Sequence, residues 1–145
     1  MKLYTIGFTK KSAEKFFGLL REARVSKLID VRLNNVSQLS GFAKRDDLRY
    51  FLSEICDAQY VHRTELAPTK EMLDAYKKGD TEWAVYERQF LELLVTRQVE
   101  KTARREEFDG AVLLCSENDA QHCHRRVVAE YLGQHWGGTA IEHLM

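Results

Sequence analysis

A strand, a helix and a second strand follow one another before residue 33, and this succession constrains the fold more than any other feature of the chain. Residues 2–6 read as a strand that ends at Gly7. From Ser12 the pattern turns helical: Phe16, Leu19, Leu20 and Ala23 fall at i, i+3, i+4 and i+7, with Thr9 or Ser12 as the candidate cap. Residues 25–32 (VSKLIDVR) return to strand character. Such a βαβ unit demands a parallel strand pair with a right-handed crossover.

The rest of the chain continues the alternation. A long loop over residues 33–44 carries Asn34, Asn35, Ser37, Ser40 and Gly41. A helix after Asp46 or Asp47 places Leu48, Phe51, Leu52 and Ile55 on one face, and residues 59–62 form a short strand. Residues 69–78 read as a helix stopped by Gly79. Asp80 or Thr81 then caps a long helix with Trp83, Tyr86, Phe90, Leu93 and Leu94 in its stripe and a heavily charged second half over residues 97–107. Residues 110–115 (GAVLLC) are the best buried strand. The last helix spans about residues 121–134, and residues 139–144 offer a final strand. The expected fold is a three-layer α/β domain over residues 1–145: a mostly parallel sheet of about five strands with helices on both faces, Rossmann-like but without a dinucleotide fingerprint.

Composition narrows the function classes. Of 145 residues, 22 are basic and 22 acidic, so no global field draws the chain to nucleic acid or to a membrane surface. No apolar run approaches a membrane span, and nothing at the N-terminus resembles a signal peptide. Three cysteines, an odd number, fit a reducing compartment better than a disulfide scaffold, and the expected location is cytoplasmic.

In open α/β sheets, ligands bind beyond the carboxyl ends of the strands. Two segments place unusual residues there: Asp30-Val31-Arg32, and the run from Cys115 through Glu117 to Cys123, His124 and Arg125. Strand periodicity puts Leu28, Asp30 and Arg32 on one face and Ile29 and Val31 on the other. Asp30 with Arg32 reads either as a structural ion pair or as part of a site, and buried charge needs a partner in both cases. Extending the last helix's stripe of Val127, Val128, Tyr131 and Leu132 back one turn lands on His124, which faces inward. Arg126 and His122 then point to solvent. A helix N-terminus beside Arg125 suits an anion and favours thiolate on Cys115 or Cys123. Each residue also has a plainer reading: Cys115 as a small buried hydrophobe, His124 as a core histidine, Glu117 as a first-turn carboxylate.

Three function classes compete. In the first, a small anionic ligand, phosphate- or nucleotide-like, is held by Asp30, Arg32 and Arg125, with Cys115, Glu117, Cys123 and His124 as candidate catalytic groups. In the second, Cys115, Glu117, Cys123 and His124, with His62, His122 or His143 from elsewhere, bind zinc or iron. There is no CxxC or HxxxH pair, however, and adjacent Cys123 and His124 cannot aim at one ion from a regular helix, so no residue is assigned as a metal ligand. In the third, Arg97, Lys101, Arg104 and Arg105 contact nucleic acid, against the neutral net charge and the interspersed Glu100, Glu106 and Glu107. No cofactor can be named. The aromatic residues Phe16, Phe17, Trp83, Tyr86 and Phe90 are expected in the core, and Trp136 covers a helix end or a second subunit.

The order of motifs resembles the domain-of-unknown-function family 488. The resemblance rests on Thr5-Ile6-Gly7, Asp30-Val31-Arg32, Ser37, Gly41-Phe42, Tyr60 with His62, Leu113-Leu114-Cys115-Ser116-Glu117, Cys123-His124-Arg125 and His143-Leu144. The chain departs from the family pattern at Phe8 and Thr9, where the family often has histidine and serine, and at Asn35, where it tends to have proline. A mechanism that needs a histidine at position 8 does not transfer. The resemblance implies a site at the paired motifs and supplies no reaction.

Overall fold

The computed structural model describes residues 1–36 and 41–145. Ser37 and Ser40 lie outside the described residues. Five strands form one parallel sheet: β1 (Lys2–Gly7), β2 (Lys27–Asp30), β3 (Gln59–His62), β4 (Ala111–Cys115) and β5 (Ala140–Leu144), in the order β3-β2-β4-β1-β5. The parallel strand pair expected of the first βαβ unit is not formed directly. β4 lies between β1 and β2 and pairs with both. All five residues of β4 are buried, so the most apolar strand takes the position with neighbours on both edges.

Strand alternation divides the core in two. Ile6, Leu28, Val112 and Leu114 point to the face covered by α1 (Ala13–Glu22) and α2 (Arg45–Phe51), where Phe16, Phe17, Leu20 and Leu48 pack. Leu3, Ile29, Val31, Leu113 and Cys115 point to the other face. There they meet Phe90 and Leu94 of α4 (Trp83–Arg97), Val99 of α5 (Val99–Thr102), Phe108 of α6 (Arg105–Phe108), and Val127, Val128 and Leu132 of α7 (His124–Trp136). The remaining helix, α3 (Lys70–Lys77), packs against α4 and buries no residue fully.

Local chemistry explains most boundaries. The Ser12 hydroxyl caps α1 by accepting from Lys15 N at 3.1 Å, and Thr69 caps α3 from Met72 N at 3.2 Å. The α2 helix passes into a π-helical turn, Leu52–Cys56, which leaves Ile55 exposed instead of on the buried face. Two expectations fail around α4. Its N-cap is Glu82, not Asp80 or Thr81, and the helix stops at Arg97 because Gln98 takes the left-handed conformation (φ 53°). The charged stretch that follows is therefore two short helices, α5 and α6. Trp136 packs its ring on Phe108, with centroids 5.4 Å apart, and so covers the end of α7. Among the described residues, no helix is long and apolar enough to cross a membrane.

Candidate functional site

The register brings the two sequence motifs to one rim of the sheet. Asp30 pairs with Leu114, one residue before Cys115, and Cys115 pairs with Gly7. The Asp30–Arg32 ion pair is buried and two-pronged: Arg32 Nε donates to Oδ1 at 2.9 Å and Nη2 to Oδ2 at 2.8 Å. The second nitrogen also donates to the Ala43 carbonyl at 2.8 Å. The carboxylate in turn accepts from the Tyr60 hydroxyl at 2.6 Å, and Asn35 Nδ2 donates to that same hydroxyl at 3.0 Å. Burial and the adjacent Asp30 carboxylate push the Tyr60 phenol well above its ordinary value, so it stays a donor. His62 Nε2 donates to the Arg32 carbonyl at 2.7 Å. Two residues of the edge strand β3, Tyr60 and His62, thus hold the end of β2 in place.

The second motif is less regular than a helix reading suggests. The Asp119 carboxylate accepts from Gln121 N at 2.9 Å, forming a local turn, and α7 begins only at His124. Cys123 is its N-cap, in extended conformation (φ −136°, ψ 139°). The two side chains at 123 and 124 therefore leave the backbone under different geometry and can converge. One ligating atom each from Cys115, Cys123 and His124 lies within 4.8 Å of the other two. The Sγ atoms of the two cysteines touch as in a disulfide, yet their Cα atoms are 7.4 Å apart, beyond the usual disulfide span of about 4.4–6.8 Å.

His124 is oriented by the neighbouring strand. Its Nε2 lies 2.7 Å from the Val31 carbonyl oxygen. A carbonyl only accepts, so Nε2 carries the proton and Nδ1 keeps its lone pair. Burial lowers the imidazole pKa to about 4, with Arg125 adding to the shift and the Val31 carbonyl and Asp30 opposing it. The ring is neutral at neutral pH. Its face is fixed by the edge of Phe90, 5.4 Å away.

Arg125 is wholly buried and laces the loop after β4 to the sheet. Its Nε donates to Thr5 Oγ1 at 3.1 Å, Nη1 to Cys115 Sγ at 3.3 Å and to the Glu117 carbonyl, and Nη2 to the Asn118 carbonyl at 3.3 Å. Burial lowers its pKa to about 10, while Glu117 and Asp119 act in the opposite direction, so it remains a cation beside Cys115. Gly7 makes this lacing possible: a Cβ there would overlap the Glu117 carbonyl and stand 3.0 Å from Arg125 Nη1. Lys11, also buried, donates to the Asn118 side chain at 2.5 Å. Burial and the Arg125 charge lower its pKa.

Above the cluster opens a cleft of about 330 Å³. Of the seven residues nominated from sequence, Arg32, Cys115, Glu117, Cys123 and His124 line it, whereas Asp30 and Arg125 stand behind its wall. The Arg125 guanidinium is bonded to Thr5 of β1, Cys115 of β4 and the loop carbonyls of Glu117 and Asn118. The rest of the lining was not foreseen. Tyr76 and Lys77 come from the end of α3, Trp83 and Tyr86 from the start of α4, and Phe8 from the loop after β1. Trp83 and Tyr86 were expected in the core. Tyr86 is buried there, but Trp83 is only half-buried and faces the cleft. His122 is exposed as expected, and stacks on Trp83 with centroids 5.2 Å apart. Aromatic residues at two adjoining helix ends, Tyr76 and Trp83, were the available signal.

The basic stretch that begins with the last residue of α4 is partly structural. Arg97 Nη1 donates to the Glu65 and Ala67 carbonyls at 2.8 and 2.7 Å.

No curated protein matches the chain, and no solved structure does either. A family profile does match: the one described as Domain of unknown function DUF488, over residues 12–132, from the cap of α1 into the last turns of α7. That span takes in β2 and β4, both sequence motifs and most of the cleft. The chain belongs to the DUF488 family.

Proposed function

We propose that the protein carries a metal ion, zinc by the chemistry of its donors, on Cys115, Cys123 and His124, and acts through it on a small molecule bound in the cleft. The observation that carries this reading is the convergence of two cysteine sulfurs and one imidazole nitrogen within 4.8 Å at the cleft floor, which reduction of the Cys115–Cys123 pair would free for an ion. Two sulfurs and a nitrogen are a common zinc donor set. Three protein ligands with the fourth position left to solvent or substrate mark catalytic sites, whereas structural sites are closed. Nε2 of the histidine donates to a backbone carbonyl, which fixes the tautomer and leaves Nδ1 with the lone pair a metal ligand needs. Buried Arg125 beside Cys115, and the start of α7 at Cys123, place positive charge next to both sulfurs.

Glu117, exposed at the rim of the cleft, is the proton-transfer candidate, and Arg32 supplies a fixed cation for an anionic group of the ligand. The anion-binding reading of the sequence thus keeps Arg32 and gains Lys77, but loses Arg125.

The test is metal analysis of protein purified without a histidine tag. One equivalent of zinc or iron is expected, lost in Cys123→Ser and His124→Ala and retained in Cys56→Ser. Metal-free protein in which Cys115 and Cys123 resist alkylation until reduced would overturn the proposal in favour of a disulfide.

A further inference from the structure

We infer that the cleft takes a nucleobase, stacked on the ring wall of Tyr76, Trp83 and Tyr86 beside the cysteine–histidine cluster. The inference rests on the cleft being the functional site, as proposed above, and not on the ion being present. The wall is built from separate elements. Tyr76 of α3 stacks on Tyr86 of α4, with centroids 4.7 Å apart and planes at 26°. Trp83 lies 5.7 Å from Tyr76 and 5.5 Å from Tyr86, and carries the His122 ring at the same 26° inclination. Rings packed only to fill a core have no need to line a cleft. Here Tyr76 and Trp83 are half-buried and exposed on the cleft side, which selects a flat apolar surface in the ligand.

The polar groups specify the edge of that flat ligand. Tyr86 is 2% exposed and lines the cleft, and its hydroxyl has no hydrogen-bond partner among the described residues. The hydroxyl is not sealed in the core but reaches the cleft, where a ligand acceptor can take the place of water. Burial raises its pKa, so it is held as a donor. Arg32, its guanidinium 5.3 Å from the Phe8 ring, adds a second planar donor group. Flat faces with hydrogen-bonding edges describe a nucleobase better than a sugar or an aliphatic acid. The volume of about 330 Å³ is at the low end for small-molecule sites and admits one base, not a duplex. With a net charge of +0, the chain has no overall field for a nucleic-acid backbone. The base would come from a free nucleotide or from an unpaired position in a single strand, and the two sources share the same ring chemistry.

Tryptophan fluorescence reads the inference directly. The second tryptophan, Trp136, packs at the far end of α7, so Trp136→Phe leaves Trp83 as the sole reporter. This protein is titrated with the four ribonucleoside 5′-monophosphates, a short single-stranded DNA, and ribose 5-phosphate as a ring-free control, each with bound zinc and after EDTA. Saturable quenching by at least one nucleotide and none by ribose 5-phosphate is expected, with affinity about fivefold to tenfold weaker in Tyr86→Phe and in Tyr76→Leu. Saturation by the oligonucleotide alone supports the base and assigns it to a strand. No saturable quenching by any ring-bearing probe, equal quenching by ribose 5-phosphate, or unchanged affinity in both variants would overturn the inference. Stoichiometric zinc without quenching removes the nucleobase and leaves the metal. Quenching by protein that is isolated without stoichiometric metal removes the metal and leaves the nucleobase.

Discussion

His124 Nε2 donates to the carbonyl of Val31 at 2.7 Å, tying the first residue of α7 to the end of β2 across a separation of 93 positions. This bond settles which nitrogen carries the proton, while burial holds the imidazole neutral against it, so the acid–base behaviour of the fold should register the buried ring. The folded pKa of about 4 lies below the unfolded value of about 6.5. As pH falls through this window, the unfolded chain takes up a proton that the folded protein refuses, and stability drops. The loss is complete below about pH 4, where both states are protonated. For metal-free protein the contribution is about 3 kcal/mol. Urea midpoints at pH 7 and pH 4, compared with those of His124→Gln, isolate it: the variant should show a shallower dependence.

The buried ion pair at the end of β2 makes a second prediction. Asp30→Ala leaves the Arg32 guanidinium without its counter-charge and should cost about 3–5 kcal/mol. Tyr60→Phe removes one donor from the same carboxylate and should cost about 1–2 kcal/mol. Equilibrium urea unfolding measures both. Equal effects would mean that Tyr60 contributes more than one hydrogen bond.

At Gly7 the close approach of the loop after β4 leaves no room for a methyl group. Gly7→Ala should force that loop off the sheet and destabilise the protein by about 3 kcal/mol or more, as overpacking at a rigid contact does. A thermal melt within a degree of the parent protein would show that the loop yields at little cost.

Arg125→Lys preserves the charge and removes the fork. A lysine can satisfy only part of the set formed by Thr5, Cys115 and the carbonyls of Glu117 and Asn118. The expected cost is about 2–3 kcal/mol in stability. Zinc affinity, measured by competition with a chromophoric chelator, should fall about tenfold or more, since the group that orients Cys115 is lost.

Much of this was legible in the sequence, and the failures have physical causes. Ser12, the alternation of Leu28 to Val31, and the apolar run before Cys115 gave the strands, the first helix and the rim where the motifs meet. Strand adjacency was not legible from the N-terminal segment, because a strand later in the chain, apolar on both faces, takes the central place. The convergence of Cys123 and His124 was hidden by assuming that the helix began near Gln121. The turn at Asp119 delays it to His124, and that shift makes the donor cluster possible. The hydrogen bonds of Arg125 to the Glu117 and Asn118 carbonyls were not legible, because backbone acceptors carry no sequence signal. Trp83 reads as core by spacing alone, and only the neighbouring end of α3 turns it toward a cleft.

The central position of β4 has a consequence for biosynthesis. When the ribosome has released the first hundred residues, β1 and β2 are both present, but the strand that joins them does not yet exist. The nascent chain must carry an open seam between them, with unsatisfied edges on either side, until residues 111–115 emerge. Joining of the two halves by β4 and the arrival of Cys115 at the rim are then one event, which precedes the emergence of Cys123, His124 and the edge strand β5.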